Sequence, residues 1–177
     1  MDNLRDRAES QRNIIEKILL KIPGFKGYLE KEFRRETDHV FRQFMVQRLA
    51  EGKKRLNDAV RAVTDVGKIS LLQPVTEISN RLERVENRIR FASHGYAGFF
   101  DVVKVREAEL DALYQFDLNL LDKVEELVGL LSDLETTVDE EADFKQAVRL
   151  CRDMVREMDS LLDERQNTLT GLTGTAL

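Results

Sequence analysis

Residues 74–92 read PVTEISNRLERVENRIRFA, and this stretch decides the fold. Val75, Ile78, Leu82, Val85, Ile89 and Ala92 recur alternately three and four positions apart. That spacing lays an apolar seam along one side of a helix, the pattern of a heptad repeat. Arg81, Arg84, Arg88 and Arg90 hold the opposite side. A helix apolar along a single stripe needs another helix to cover it, so the expected fold class is all-α, an elongated antiparallel bundle of about five helices with coiled-coil character.

The flanks extend the same pattern. Upstream, a long helix is expected from Tyr28 to Val66, with Phe33, Thr37, Val40, Phe44, Leu49, Gly52, Leu56, Ala59 and Val63 on its packed side. Gly52 marks a bend or a close helix contact, and Gly67 fits the residue just past a helix end. The next helix starts either at a Ser70–Gln73 capping box or with Pro74 in its first position. Downstream, Val105 to Glu135 carries the seam Leu110, Leu113, Asp117, Leu120, Val124, Leu127, Leu131 and Leu134. Asp117 is the odd member, a candidate buried polar residue that needs an arginine or a backbone donor as partner. Thr137 and Glu140 suggest a capping box for a last helix running to Gln166. Its packed side is Phe144, Val148, Cys151, Val155, Met158 and Leu162. A first helix, from Asn3 or Leu4 to Lys21, gathers Ile14, Ile15, Ile18, Leu19 and Ile22 at its end and stops at Pro23-Gly24. Residues 1–167 are expected to form one domain, and the Thr- and Gly-rich residues 168–177 a flexible tail.

Composition narrows the class. In 177 residues, 42% hydrophobic and 34% charged side chains describe a chain with a real core and long wet helix faces. No apolar run reaches the roughly 20 residues of a membrane span, and no signal peptide is visible. The one cysteine, Cys151, points to a reducing, cytoplasmic setting and to a buried, inert thiol. Charge is divided unevenly. Residues 1–104 hold 21 Lys and Arg against 15 Asp and Glu, whereas residues 105–177 hold 7 against 18. The two halves can pair on folding or between molecules.

Two loop motifs stand out. Ile22 to Asp38 reads IPGFKGYLEKEFRRETD, and Gly95 to Asp101 reads GYAGFFD. Pro23, Gly24, Phe25, Gly27 and Tyr28, with Arg34 and Arg35, form one candidate interaction loop; Gly95, Tyr96, Gly98 and Phe99 form the other. Glycines three apart can offer backbone N–H groups to an anion, but here they fit a tight helix-to-helix turn better. Together the motifs resemble those of an uncharacterised family of bacterial helical proteins, over roughly residues 12–130. The resemblance implies a bacterial cytoplasmic helical protein and no activity.

Chemistry is sparse. Glu36 and His39, with Glu32, have the Glu-x-x-His spacing of di-iron bundles, which need a second copy. The only other histidine, His94, follows Phe91 where that copy would carry a glutamate. Lys53, Lys54 and Arg55 could meet phosphates, yet no aromatics interleave with them for base stacking, which disfavours nucleic acid. No nucleophile motif, cofactor motif or small-molecule substrate site is visible. The expected function is therefore non-enzymatic: a scaffold or adaptor that binds proteins, or itself, through helix faces. The alternative is a peripheral protein held to anionic membrane surfaces by the first helix and the Gly24–Tyr28 loop, where Lys17, Lys21 and Lys26 flank apolar residues. A metal-binding bundle is the third reading.

Overall fold

The computed structural model describes residues 16–17, 20–22, 34–92 and 107–174, with side chains for 16, 17, 20–22, 40–92 and 115–168. Four helices pack together: α1 (Arg34–Asp65), α2 (Leu72–Arg90), α3 (Glu107–Leu134) and α4 (Glu141–Gly174). Short 3₁₀ turns, Ile69–Leu71 and Glu135–Thr137, precede α2 and α4. All of the described regular structure is helical. Of the expected first helix, residues 16–17 and 20–21 are helical and the remainder lies outside the described residues.

The core follows the apolar seams. Val75, Ile78, Leu82, Val85 and Ile89 of α2 are at most 1% exposed. On α4, Phe144, Val148, Cys151, Val155, Met158 and Leu162 are all buried. On α3, Leu118, Leu121 and Val128 join the expected positions, giving a stripe wider than a strict heptad seam. On α1 the stripe differs from expectation. Phe41 and Met45 are buried, while Val40 and Phe44 sit half-buried at the edge of the core. The neighbouring helices cover a face turned by one residue there, which apolar spacing alone does not distinguish.

The helices form two hairpins, α1–α2 and α3–α4, lying side by side. Within each hairpin the contacts run in opposite order. Arg42 donates to the Ala92 carbonyl and Lys53 to Glu86; Asp117 pairs with Arg165 and Lys123 with Glu157. Between hairpins they run in the same order. Arg48 meets Glu125, and Gly52 lies against Val128 and Leu131. Arg88 meets Asp159 and Asp163. Like-directed helices are therefore neighbours across the hairpins, α1 beside α3 and α2 beside α4. An all-antiparallel arrangement needs short loops throughout. In sequence, residues 91–106 separate α2 from α3, against 66–71 between α1 and α2.

The turns explain the element ends. Gly67 has φ +71°, its N–H bonds the Thr64 carbonyl, and the Lys68 N–H bonds the Val63 carbonyl. This pair of bonds ends α1 in a Schellman motif. Neither expected start of α2 is used. Leu71 is the N-cap, without a side-chain bond, and Pro74 is the third helical residue. Proline is tolerated there because N–H groups of the first turn have no helical acceptor. The Thr137–Glu140 capping box does not form either. Thr137 Oγ1 donates back to the carbonyls of Asp133 and Leu134, closing α3 instead. Lys68 Nζ donates to the carbonyls of Val138 (2.9 Å) and Asp139 (2.6 Å), tying the two turns together at one end of the bundle. At the C-terminus α4 passes the expected stop at Gln166 and runs to Gly174, through residues assigned above to a tail.

Candidate interaction surface

Most of the loop motifs singled out in the sequence, Pro23, Gly24, Phe25, Gly27, Tyr28, Gly95, Tyr96, Gly98 and Phe99, lie outside the described residues. Arg34 and Arg35 open α1, and their side chains are outside the description too. The same holds for Glu36 and His39. Among the described residues, no three His, Cys, Asp or Glu side chains converge as metal ligands would. No described helix is long and apolar enough to cross a membrane.

Asp117 is described in full. It is 5% exposed and accepts a hydrogen bond from Arg165 Nε at 2.9 Å. Arg165 is itself 8% exposed, so the two charges are out of water and bonded to each other. Three further polar anchors were not legible in the apolar spacing. Glu86, 5% exposed, is held between Lys53 and Arg90. Arg42, 9% exposed, donates to the Ala92 carbonyl just beyond the end of α2. Arg48 pairs with Glu125 across the hairpins, and that hydrogen bond, against partial desolvation, raises its guanidinium pKa above the ordinary value.

The basic half of the chain spends several of its cations internally. Lys21 pairs with Asp122, Arg48 with Glu125, and Arg88 with both Asp159 and Asp163. These are pairings between the two oppositely charged halves. Lys54, Arg55 and Arg84 remain exposed. Ile22, which ends the first helical segment, is 5% exposed and belongs to the core. Cys151 is fully buried on α4, and desolvation, with the nearby charge of Asp133 second, pushes its thiol pKa up to about 12. Such a thiol stays protonated and unreactive.

One surface feature combines shape with charge. Where the starts of α2 and α4 meet, Leu71, Pro74, Phe144 and Val148 line a half-open groove of about 270 Å³, bordered by Lys145, Arg149 and Arg152. Lys145 pairs with Glu141 at 2.5 Å, and Arg149 donates to Gln146 Oε1 at 2.7 Å. Arg152 Nε is buried with no hydrogen-bond acceptor; the Asp153 carboxylate is 3.8 Å away, beyond bonding distance. Ile69 in the preceding turn and Leu150 on α4 are 59% and 45% exposed. A sequence signal for the groove did exist. Lys145, Arg149, Arg152 and Arg156 recur four, three and four apart, a basic stripe beside Phe144 and Val148 in the otherwise acidic half. No family model, no curated protein and no solved structure matches the chain.

Proposed function

We propose that the chain is a non-enzymatic scaffold or adaptor that binds proteins, or copies of itself, through helix faces. The observation that supports this reading is apolar surface left uncovered by the bundle. Ile69 in the turn before α2 and Leu150 on α4, 59% and 45% exposed, are large apolar side chains that the bundle leaves open to a partner. On this reading the Asn3–Lys21 segment completes a fifth helix, and the seams of α1 to α3 carry the coiled-coil packing expected from their spacing. The uneven charge then serves two ends. Part of it closes the bundle, and the exposed remainder guides encounter. Sedimentation velocity of the full chain over a range of concentration and salt is the test. Association that weakens as salt rises is expected for self-assembly through charge; a mass that is unchanged by salt removes that version.

The membrane alternative draws support from Leu20, 73% exposed beside the exposed Lys17. Against it stand the burial of Ile22 and the Lys21–Asp122 pair, which favour docking of this segment on its own bundle. Pelleting with anionic but not neutral liposomes, abolished by Ile18→Asp with Leu19→Asp, is the result the membrane reading requires.

A further inference from the structure

Three of the five large apolar side chains that stay exposed among the described residues lie at the two ends of the α1–α2 hairpin. Val66 and Ile69, 45% and 59% exposed, sit in its turn, and Phe91, 76% exposed, stands at the far end of α2. The 19 residues of α2 set these ends about 28 Å apart. Scattered singly, such side chains are ordinary. Here each end also carries charge of one sign, and the two signs are opposite. We infer that a second copy of this chain docks its hairpin turn against the outer side of α2 at Arg84 and Phe91, laying Val66 and Ile69 on Phe91 and the turn carboxylates against Lys54 and Arg84. The inference rests on the self-association version of the adaptor reading and names the two surfaces that meet.

The turn end is acidic. Residues 65–71 and 135–141, which Lys68 ties together through the Val138 and Asp139 carbonyls, hold Asp65, Glu135, Asp139, Glu140 and Glu141 against Lys68 alone. Glu141 pairs with Lys145; the other four are exposed and make no ion pair among the described residues. Asp139 and Glu140 stand at the start of α4, where the helix dipole favours negative charge. Asp65 and Glu135 have no such reason. Asp65 ends α1, Glu135 follows directly on α3, and neither helix has a basic residue in its last turn. Carboxylates at a helix C-terminus oppose the dipole, so these two weaken the isolated fold and gain from a cation that a partner brings.

The far end is basic. Arg84, Asn87 and Phe91 recur three and four apart, are all exposed, and share the side of α2 away from its buried seam. Lys53 bonds Glu86, which sets this stretch of α1 beside them, and Arg90 holds the other Glu86 oxygen. Lys54 and Arg84 are then left exposed and without an ion pair among the described residues. Glu83, also exposed, is the one carboxylate of residues 83–91 outside these pairs. Contact of either end with its own copy would set like charges together. Contact of one end with the other matches apolar to apolar and acid to base.

Charge reversal tests the pairing. A turn-reversed chain carries Asp65→Lys with Glu135→Lys, and a side-reversed chain carries Lys54→Glu with Arg84→Glu. All four positions are exposed, and circular dichroism melts confirm folding. The turn-reversed chain should melt no lower than the unsubstituted one, since lysine suits a helix C-terminus. Sedimentation velocity at low salt, up to about 1 mM protein, is expected to show the unsubstituted chain associating. Each reversed chain alone should associate about tenfold more weakly, and an equimolar mixture of the two should recover the lost affinity. Phe91→Ser or Ile69→Ser should also weaken association about tenfold. A mixture no tighter than its components overturns the pairing. Association that neither reversal changes places the contact elsewhere, which overturns this site and leaves the adaptor reading standing. An unsubstituted chain that stays monomeric throughout defeats the inference together with the self-association version of that reading.

Discussion

At the scale of single residues, Asp117 shows how a buried charge is made tolerable. Its carboxylate sits in the α3 seam at 5% exposure, and Arg165 on α4 answers it at 2.9 Å. Each substitution removes a charge-assisted hydrogen bond from a buried group. Arg165→Met is expected to cost about 1.5–3 kcal/mol in urea denaturation, and Asp117→Leu combined with Arg165→Met to cost less than the sum of the two single losses. Losses that simply add would show that the pair is not the determining contact. Cys151 gives a pH prediction. Its thiol is held near 12 in the fold, above the ordinary value of 9.0, so the folded state keeps a proton that the unfolded state gives up. The resulting stability is present in full below about pH 9 and is lost as pH rises toward 12. Cys151→Ala should flatten that alkaline decline, and the native thiol should resist iodoacetamide until the protein unfolds. Asp117 was visible in the sequence as a misfit in an apolar seam. Its partner was not, because 48 positions separate the two residues and only the docking of α3 on α4 brings them together.

Glycine decides several matters at the scale of the element. Gly67 ends α1 at φ +71°, a conformation that costs an L side chain about 1–2 kcal/mol. Gly67→Ala should therefore lower stability by about that amount, although a Cβ there meets nothing within 4 Å. Gly129 is the opposite case. It lies inside α3 with open space around it and without a positive φ, so Gly129→Ala should raise stability by about 0.5–1 kcal/mol. Thermal melts of the two variants should move in opposite directions. Gly52 is a contact glycine, since a Cβ would come within 2.9 Å of Leu131 Cδ1 and 3.6 Å of Val128 Cγ2. It lets α1 approach α3 closely, as the sequence suggested. The helix caps were less legible. Ser70 with Gln73 and Thr137 with Glu140 have capping-box spacing, yet 3₁₀ turns take over both helix entries. Local side-chain bonding loses there to the geometry needed to bring Leu71 and Val138 into the core.

Across the whole molecule, the uneven charge and the order of the helices are linked. Arg88 of α2 reaches Asp159 and Asp163 of α4, and Arg48 of α1 reaches Glu125 of α3. The basic and acidic halves thus meet along the faces where the two hairpins join. Arg88→Met removes two partly exposed pairs and is expected to cost about 1 kcal/mol in water, an effect that should shrink in molar salt. A loss independent of salt would assign the effect to packing of the arginine stem instead. The apolar spacings of the sequence determined that this chain is helical and which faces of α2 and α4 are apolar, because those properties depend on neighbours within a turn or two. The register of the hairpins, the pairing of like-directed helices, the partners of Asp117 and Glu86, and the groove beside Arg152 were decided by the tertiary structure. Each depends on which helix stands next to which, and apolar stripes of similar width accept one another in more than one arrangement until loop lengths and distant charges select among them.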